Sequence, residues 1–173
     1  MIQVSRQGSD YRSRGSTVAI MAQPTCYISY DSGSPTGGGG TCTAGSWNIP
    51  DMNTASGDCW FLTFDDANNE VDLQPGTYKW DGSAEHYATD STILRVYNVT
   101  DSTTEIVGAP VYIRSANIDS LSSNIKGQFT ISSLKSVRLE GRCQTSSSNG
   151  FGYQGTDFGV NNQYRLQSIT KVK

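Results

Sequence analysis

The sequence contains little charge and few of the residues that carry chemistry. Only 17% of its 173 residues are charged, and it has a single histidine. Lys and Arg together number 13 against 16 Asp and Glu, so the net charge is −3. A protein that wraps a phosphate backbone normally has a strong basic excess. The composition therefore predicts a protein without a nucleic-acid partner.

Long apolar runs and closely spaced cysteines are also missing. No segment approaches the ~20 apolar residues needed to span a bilayer, and the apolar stretch at residues 18–22 is too short for the core of a signal peptide. The spacings of Cys26, Cys42, Cys59 and Cys143 match neither a zinc site nor a dense disulfide scaffold. We therefore expect no membrane insertion, folding in a cytoplasm, and mostly free, buried thiols.

Glycine, hydroxyl residues and short apolar segments dominate instead. The chain has 18 Gly, and Pro75-Gly76 is a turn pair, because Pro presets φ and Gly accepts a positive φ. Strand-like segments recur between turns, and no stretch has the apolar spacing of a helix of three turns. The predicted strands include residues 26–30, 60–64, 77–80, 93–99, 110–114, 127–131, 137–143 and 164–169. This pattern predicts an all-β fold.

The composition changes near Pro24. Residues 1–24 are rich in Ser, Arg, Gly and Gln, so we expect an extended N-terminal arm there and one folded domain at residues 25–173. Three arginines against one aspartate give the first 22 residues a net charge of +2. A basic arm therefore precedes an acidic body.

The predicted strand at residues 93–99 is apolar on both faces. One face carries Ile93, Arg95, Tyr97 and Val99, and the other carries Leu94, Val96 and Asn98. A strand of a lone sandwich usually alternates apolar with polar side chains. We expect one face to pack on the core and the other on a neighbouring sheet or subunit. The alternative is a central strand with a partly covered outer face.

Several segments in combination resemble a known family. They read CYISY at 26–30, TAGSW at 43–47, LQPGTY at 73–78, RVYNVTD at 95–101, GQFT at 127–130, GRCQT at 141–145 and NGFG at 149–152, with a closing strand from Tyr164. With them, residues 25–173 resemble a jelly-roll domain of bacteriophage virion proteins, related in pattern to the complement and tumour-necrosis-factor type of trimeric head. The resemblance implies an antiparallel jelly-roll sandwich, a homotrimer, and a non-enzymatic structural role in the virion.

The resemblance also implies partners. The short arm, without a collagen-like or coiled-coil shaft, suits a capsid decoration or short head fibre assembled in the host cytoplasm. Arg6, Tyr11, Arg12 and Arg14 would anchor it to a major capsid or tail protein. A tail-fibre or spike module that recognises a host surface glycan or protein is the alternative. Candidates for the subunit interface or a ligand site are Tyr97, Phe151, Tyr153, Phe158 and Tyr164, with packing in the core or on the trimer axis as their alternative role.

No segment carries a catalytic, cofactor or metal signature. We expect His86 on a surface loop, without the nucleophile motif of a hydrolase. Asp65 and Asp66 form a solvated turn rather than a calcium loop or the carboxylate pair of a glycosidase. The glycines at 37–40 lack the Lys and Ser or Thr of a phosphate-binding loop. An enzyme acting on cell-wall polysaccharide therefore stays the weaker hypothesis.

Overall fold

The computed structural model describes residues 22–34, 37–115, 119–155 and 157–173. These residues contain twelve β-strands: β1 (Thr25–Asp31), β2 (Trp47–Asn48), β3 (Thr54–Gly57), β4 (Leu62–Asp65), β5 (Glu70–Leu73), β6 (Gly76–Tyr87), β7 (Asp90–Asn98), β8 (Thr103–Val107), β9 (Val111–Ile113), β10 (Ser120–Ile131), β11 (Lys135–Cys143) and β12 (Gln163–Lys171). The described residues include no helix long and apolar enough to cross a membrane.

The strands form two antiparallel sheets. The five-stranded sheet has the order β10-β6-β12-β1-β3, and the seven-stranded sheet follows the path β4-β5-β11-β7-β8, with β2 beside β11 and β9 beside β7. The sheets pack face to face as a sandwich, which confirms the predicted all-β antiparallel fold.

Alternating side chains on the long strands build the core. On β6, Tyr78 and Trp80 point inward while Lys79 and Asp81 are exposed. The Tyr78 hydroxyl donates to the Gln74 carbonyl at 2.6 Å, and the Trp80 indole N–H donates to the Gln167 side chain at 2.7 Å. The two polar groups are therefore satisfied inside the apolar interior.

The strand predicted at residues 60–64 begins later than expected. Phe61 is buried, but β4 starts at Leu62, and Trp60 is 61% exposed. The Leu62 N–H donates to the Cys59 carbonyl at 3.0 Å, so a turn precedes the strand. The prediction that the strand includes Trp60 was therefore wrong, because this residue belongs to the turn and its side chain is directed outward.

All four cysteines are paired, so the expectation of free thiols was wrong. Cys26 is bonded to Cys59, and Cys42 to Cys143, across sequence separations of 33 and 101 residues. The fold brings each pair together from distant segments, and wide spacing in the sequence gave no sign of it.

The two ends of the sandwich are different. The Lys171 N–H donates to the Pro24 carbonyl at 3.1 Å, and the Thr77 N–H donates to the Lys173 carbonyl at 3.0 Å. Residues 24 and 173 therefore lie at the same end, which we call the arm end. At the opposite end β1 finishes where β12 begins. We call this the loop end, because the loop at residues 37–41 meets residues 149–155 and 157–162 there.

Candidate functional site

A buried arginine organises the loop end. Arg165 on β12 points inward and is 1% exposed. Its guanidinium donates to the backbone carbonyls of Asp51, at 2.7 Å, Phe151, at 3.3 Å, and Gly39. The Tyr30 ring lies 4.8 Å from its central carbon. Burial lowers the pKa of Arg165 to about 10, which the carboxylate of Asp51 partly opposes. One side chain thus ties three loops together.

The glycine run at residues 37–40 is explained by the approach of two backbones. The Gly39 N–H donates to the Gly152 carbonyl at 2.9 Å, and the Phe151 N–H donates to the Gly40 carbonyl at 3.0 Å. A side chain at position 39 would overlap the Phe151 carbonyl. Glycine is needed here because the two backbones approach too closely for a side chain.

Four of the five predicted aromatic residues lie at the loop end. Tyr153 stacks on Tyr87 at 4.4 Å between ring centroids, and the Tyr164 hydroxyl lies 2.6 Å from the Tyr153 carbonyl. Tyr153 is 50% exposed and Phe158 is 76% exposed. Phe151 is only 1% exposed and is packed beside Arg165. Phe151 therefore belongs to the interior, while Tyr153 and Phe158 present aromatic surface to the solvent.

The fifth predicted residue, Tyr97, lies on the outer face of the seven-stranded sheet. The Arg95 guanidinium lies 4.2 Å from its ring centroid, and the Arg138 guanidinium 5.8 Å. Tyr97 is therefore covered largely by side chains of its own chain. The predicted anchoring residues, Arg6, Tyr11, Arg12 and Arg14, lie outside the described residues.

An ionic network covers the centre of that outer face. Glu140 accepts from Arg95 Nε at 2.7 Å and from Arg138 Nε at 2.8 Å. Arg138 also pairs with Glu70 at 3.0 Å, and the Arg95 guanidinium lies 4.0 Å from the Trp47 ring centroid. The charged side chains on the outer faces of β7 and β11 therefore pair with one another. The outer face of residues 93–99 is partly covered by these side chains, without a neighbouring sheet.

The outer face of the five-stranded sheet has no comparable network of ion pairs among the described residues. Its side chains are mainly hydroxyls and amides, including Ser83, Asn124, Gln128, Ser168 and Thr170. A shallow groove of about 500 Å³ runs along β6, β10 and β12. Leu166 lies in this polar surface and is 43% exposed. We call this the five-stranded face.

His86 is buried in β6, so its expected position on a surface loop was wrong. Its Nε2 lies 2.7 Å from the Ser123 hydroxyl, and the Phe151 ring packs beside it. Burial above all, together with the positive charge of Arg165, lowers the pKa of His86 to about 4, against a smaller opposing effect of the Gly150 backbone. The inward side of an alternating strand accounts for its position.

The His86–Ser123 pair does not have the arrangement of a hydrolase. Both side chains are fully buried, and no carboxylate of the described residues hydrogen-bonds the other ring nitrogen. A catalytic dyad needs an accessible nucleophile and an oriented base. This pair therefore fills the core.

The acidic turn at Asp65 is closed by its own hydrogen bonds. Its carboxylate accepts from the Asn68 side chain at 2.8 Å and from the Ala67 N–H at 3.1 Å. The Asn68 side chain, more than the backbone donors, holds the pKa of Asp65 below its usual value. Among the described residues no cluster of three potential metal ligands occurs.

Sequence reasoning did not identify Arg165, Glu140 or Trp60. An isolated arginine in a closing strand gives no local sign of burial, and the position of Glu140 depends on Arg95 of the neighbouring strand β7. The apolar run at residues 60–64 places Trp60 in a strand, which hides its exposure. The signal for the burial of Arg165 was the alternation of the strand. Arg165 lies on the same face as Gln167 and Ile169, opposite to Tyr164 and Leu166.

Comparison with known proteins identifies the fold. No family model and no curated protein matches the sequence. Among solved structures, the globular domain of zebrafish complement 1qA is similar with a TM-score of 0.55 and 12% identity, covering 88% of this chain and 98% of that domain. Murine APRIL at pH 8.0 gives a TM-score of 0.48 with 9% identity, covering 87% of this chain and all of that one. The chain thus has a jelly-roll sandwich of the complement C1q type, as predicted.

Proposed function

We propose that this chain is a non-enzymatic bacteriophage virion protein, a homotrimeric capsid decoration or short head fibre attached through its N-terminal arm. The observation that carries the proposal is that the two ends of the sandwich differ. The chain enters at the arm end through Pro24, whereas exposed Tyr153 and Phe158 lie at the loop end. Such a body is attached at one end and presents the other outward.

The chemistry of the five-stranded face supports the proposal that this face forms the interface between the subunits of a homotrimer. At the centre of the seven-stranded face the charges are already paired within the chain, through Glu140 and its two arginines. The five-stranded face instead offers hydrogen-bonding side chains, a groove, and partly exposed Leu166 and Tyr27. A polar surface with apolar contacts near its centre is typical of an interface between subunits.

The buried histidine supports a non-enzymatic role. His86 is the single histidine of the sequence, and its pKa is lowered to about 4 inside the core. A general base must reach the proton that it removes. His86 cannot do so without opening the sandwich.

The two disulfides support a working position outside a reducing compartment. Cytosolic thiols are normally kept reduced, whereas disulfides persist on secreted proteins and virion surfaces. We propose that the protein is assembled into virions in the host cytoplasm and that its Cys26–Cys59 and Cys42–Cys143 bonds close as particles meet oxidising surroundings.

The mass of the protein in solution tests the proposal. We expect three times the subunit mass for the full-length chain and also for a chain lacking residues 1–22, measured by light scattering. The full-length chain should bind phage particles that lack it, whereas the shortened chain should not. A monomer in both cases would contradict the trimer, and particle binding by the shortened chain would contradict the role of the arm.

Recognition of a host surface glycan is a second candidate function. The observation that favours it is the stacked Tyr87–Tyr153 pair beside the exposed Phe158 ring, because aromatic faces bind the apolar faces of sugars and also form interface hot spots. Tyr153→Ala and Phe158→Ala should then abolish binding on a glycan array. Tyr112→Ala removes a ring on β9 whose exposure lies between those of Tyr153 and Phe158, and serves as the control. Equal binding by all three variants would exclude this site.

A further inference from the structure

The Cys42–Cys143 disulfide lies at the loop end, apart from the main core. Cys42 belongs to the loop that follows Gly40, and Cys143 ends β11. Together with Phe151 the two cysteines form a small buried cluster of their own, separate from the large core between the sheets. The apolar packing that joins these loops is therefore small, and the covalent bond supplies a large part of the link.

Backbone hydrogen bonds connect the same two loops. Cys42 and Ser147 each donate an N–H to the carbonyl of the other, at 2.9 and 3.0 Å, and the Gly150 N–H donates to the Ser147 carbonyl at 3.1 Å. The bonds of the glycine run, described above, extend this contact. Residues 37–45 and 144–152 thus close on each other, and we call them the loop pair.

The loop pair carries Phe151 into the interior, over two buried polar side chains. The Phe151 ring centroid lies 5.5 Å from that of His86 and 5.3 Å from the guanidinium carbon of Arg165. If the loop pair opened, Phe151 would leave the interior and both polar groups would reach water.

The burial of Arg165 opposes closure of the loop pair. Among the described residues Arg165 forms no ion pair, and its Nε has no hydrogen-bond partner. A buried charge without a paired countercharge loses much of its hydration free energy. The hydrogen bonds to loop carbonyls offset only part of this loss, so a covalent link is needed to hold the loop pair closed.

We propose that the Cys42–Cys143 bond is a redox lock on the loop end. With both thiols reduced, the loop pair separates and Phe151 leaves the interior, while the main core keeps the two sheets together. Once the bond has formed, both sulfur atoms are shielded, since Cys42 is 0% and Cys143 is 3% exposed. An external thiol needs access to a sulfur atom, so the closed lock resists reduction.

Closure of the lock is a thiol–disulfide exchange with an external small-molecule disulfide such as oxidised glutathione. The thiolate of one cysteine attacks the external disulfide, whose S–S bond breaks and releases one thiolate. The thiolate of the other cysteine then attacks the mixed disulfide, so the Cys42–Cys143 bond forms and the second external thiolate leaves. Two cysteine thiols are oxidised, the external disulfide gains two electrons, and the two cysteine protons end on the two released thiols.

The lock also fixes the aromatic surface of the loop end, because exposed Tyr153 directly follows the loop pair. Any use of that surface in binding a glycan rests on the second candidate function above. The lock itself depends on neither the trimer, the particle nor a ligand.

The single histidine of the sequence reports on the lock. In the oxidised chain the NMR signal of His86 should titrate near pH 4, because the interior shields it from water. In the double variant Cys42→Ala, Cys143→Ala the midpoint should move toward the ordinary value of 6.5. The matched variant Cys26→Ala, Cys59→Ala lacks the other disulfide and should keep the midpoint near 4. A midpoint near 4 in the first variant, or an equal shift in both, would overturn the proposal.

Chemical reduction tests the unsubstituted chain and decides the matter if the first variant does not fold. Under native conditions dithiothreitol followed by alkylation should label partly exposed Cys59 before Cys42 and Cys143. The histidine midpoint should move only as the second pair is reduced, and oxidised glutathione should return it to about 4. Reduction of Cys42 and Cys143 without a change in the midpoint would show that the loop pair stays closed without the bond. Labelling of all four cysteines at one rate would contradict the shielding.

Discussion

At the scale of single residues, burial of His86 near the loop end makes the stability of the fold depend on pH. His86 ordinarily titrates near pH 6.5, and inside the core its pKa falls to about 4. The folded protein favours the neutral form of His86, so the free energy of unfolding is not reduced by this residue above pH 6.5. As the pH falls from 6.5 to 4, the unfolded chain binds a proton at His86 that the folded chain does not, and the stability of the fold decreases.

We therefore expect the free energy of unfolding to decrease by about 2 kcal/mol between pH 8 and pH 5 because of His86, given 1.36 kcal/mol for each unit of pKa shift. Urea unfolding at each pH measures it. His86→Gln should remove this slope, since glutamine does not titrate. Asp65 and Asp90 have lowered pKa values, so their contributions are lost only below about pH 4, outside this window. An equal slope in the variant would show that His86 is not the group responsible.

At the scale of elements, the strands were predictable to the extent that they alternate and end in turns. Pro75-Gly76 marks the beginning of β6 as expected, and Leu94 and Val96 of β7 face the core. The same local signals failed at Trp60, because a turn at Cys59 changes the alternation before β4 begins. Local patterns thus predict where strands lie better than which way a residue at a strand end points.

The contacts between elements were not predictable from the sequence. Each disulfide joins segments that only the sandwich brings together, and Cys42 and Cys143 belong to a loop and to the end of β11. Arg165 likewise acts on backbone carbonyls from three loops, which have no sequence signature. The aromatic residues near the C-terminus could be proposed as a group from their spacing with glycine. Their division into buried Phe151 and exposed Phe158 required the structure.

At the scale of the whole molecule, the two outer faces of the sandwich are unequal. Glu140, Arg95 and Arg138 would have to lose their mutual contacts, or be buried as a group, if the seven-stranded face formed an interface. Burying ion pairs carries a large desolvation cost. The groove of the five-stranded face is lined by the uncharged side chains of Gln128, Ser168 and Thr170 and by the charged Lys79, Lys126 and Asp81. The Lys126–Asp81 pair is exposed, whereas Glu140 on the other face is already buried between its two arginines. Self-association should therefore use the five-stranded face.

A pair of matched substitutions distinguishes the two faces. Leu166 on β12 and Val107 on β8 are 43% and 60% exposed, on the five-stranded and seven-stranded faces respectively. Leu166→Glu should convert the proposed trimer to monomers, because each subunit would bring an unpaired carboxylate into the interface. Val107→Glu should leave the proposed trimer intact. Light scattering measures the mass, and circular dichroism establishes that both variants keep the β fold. Dissociation by Val107→Glu alone would place the interface on the seven-stranded face, and the ionic network there would then be part of the contact between subunits.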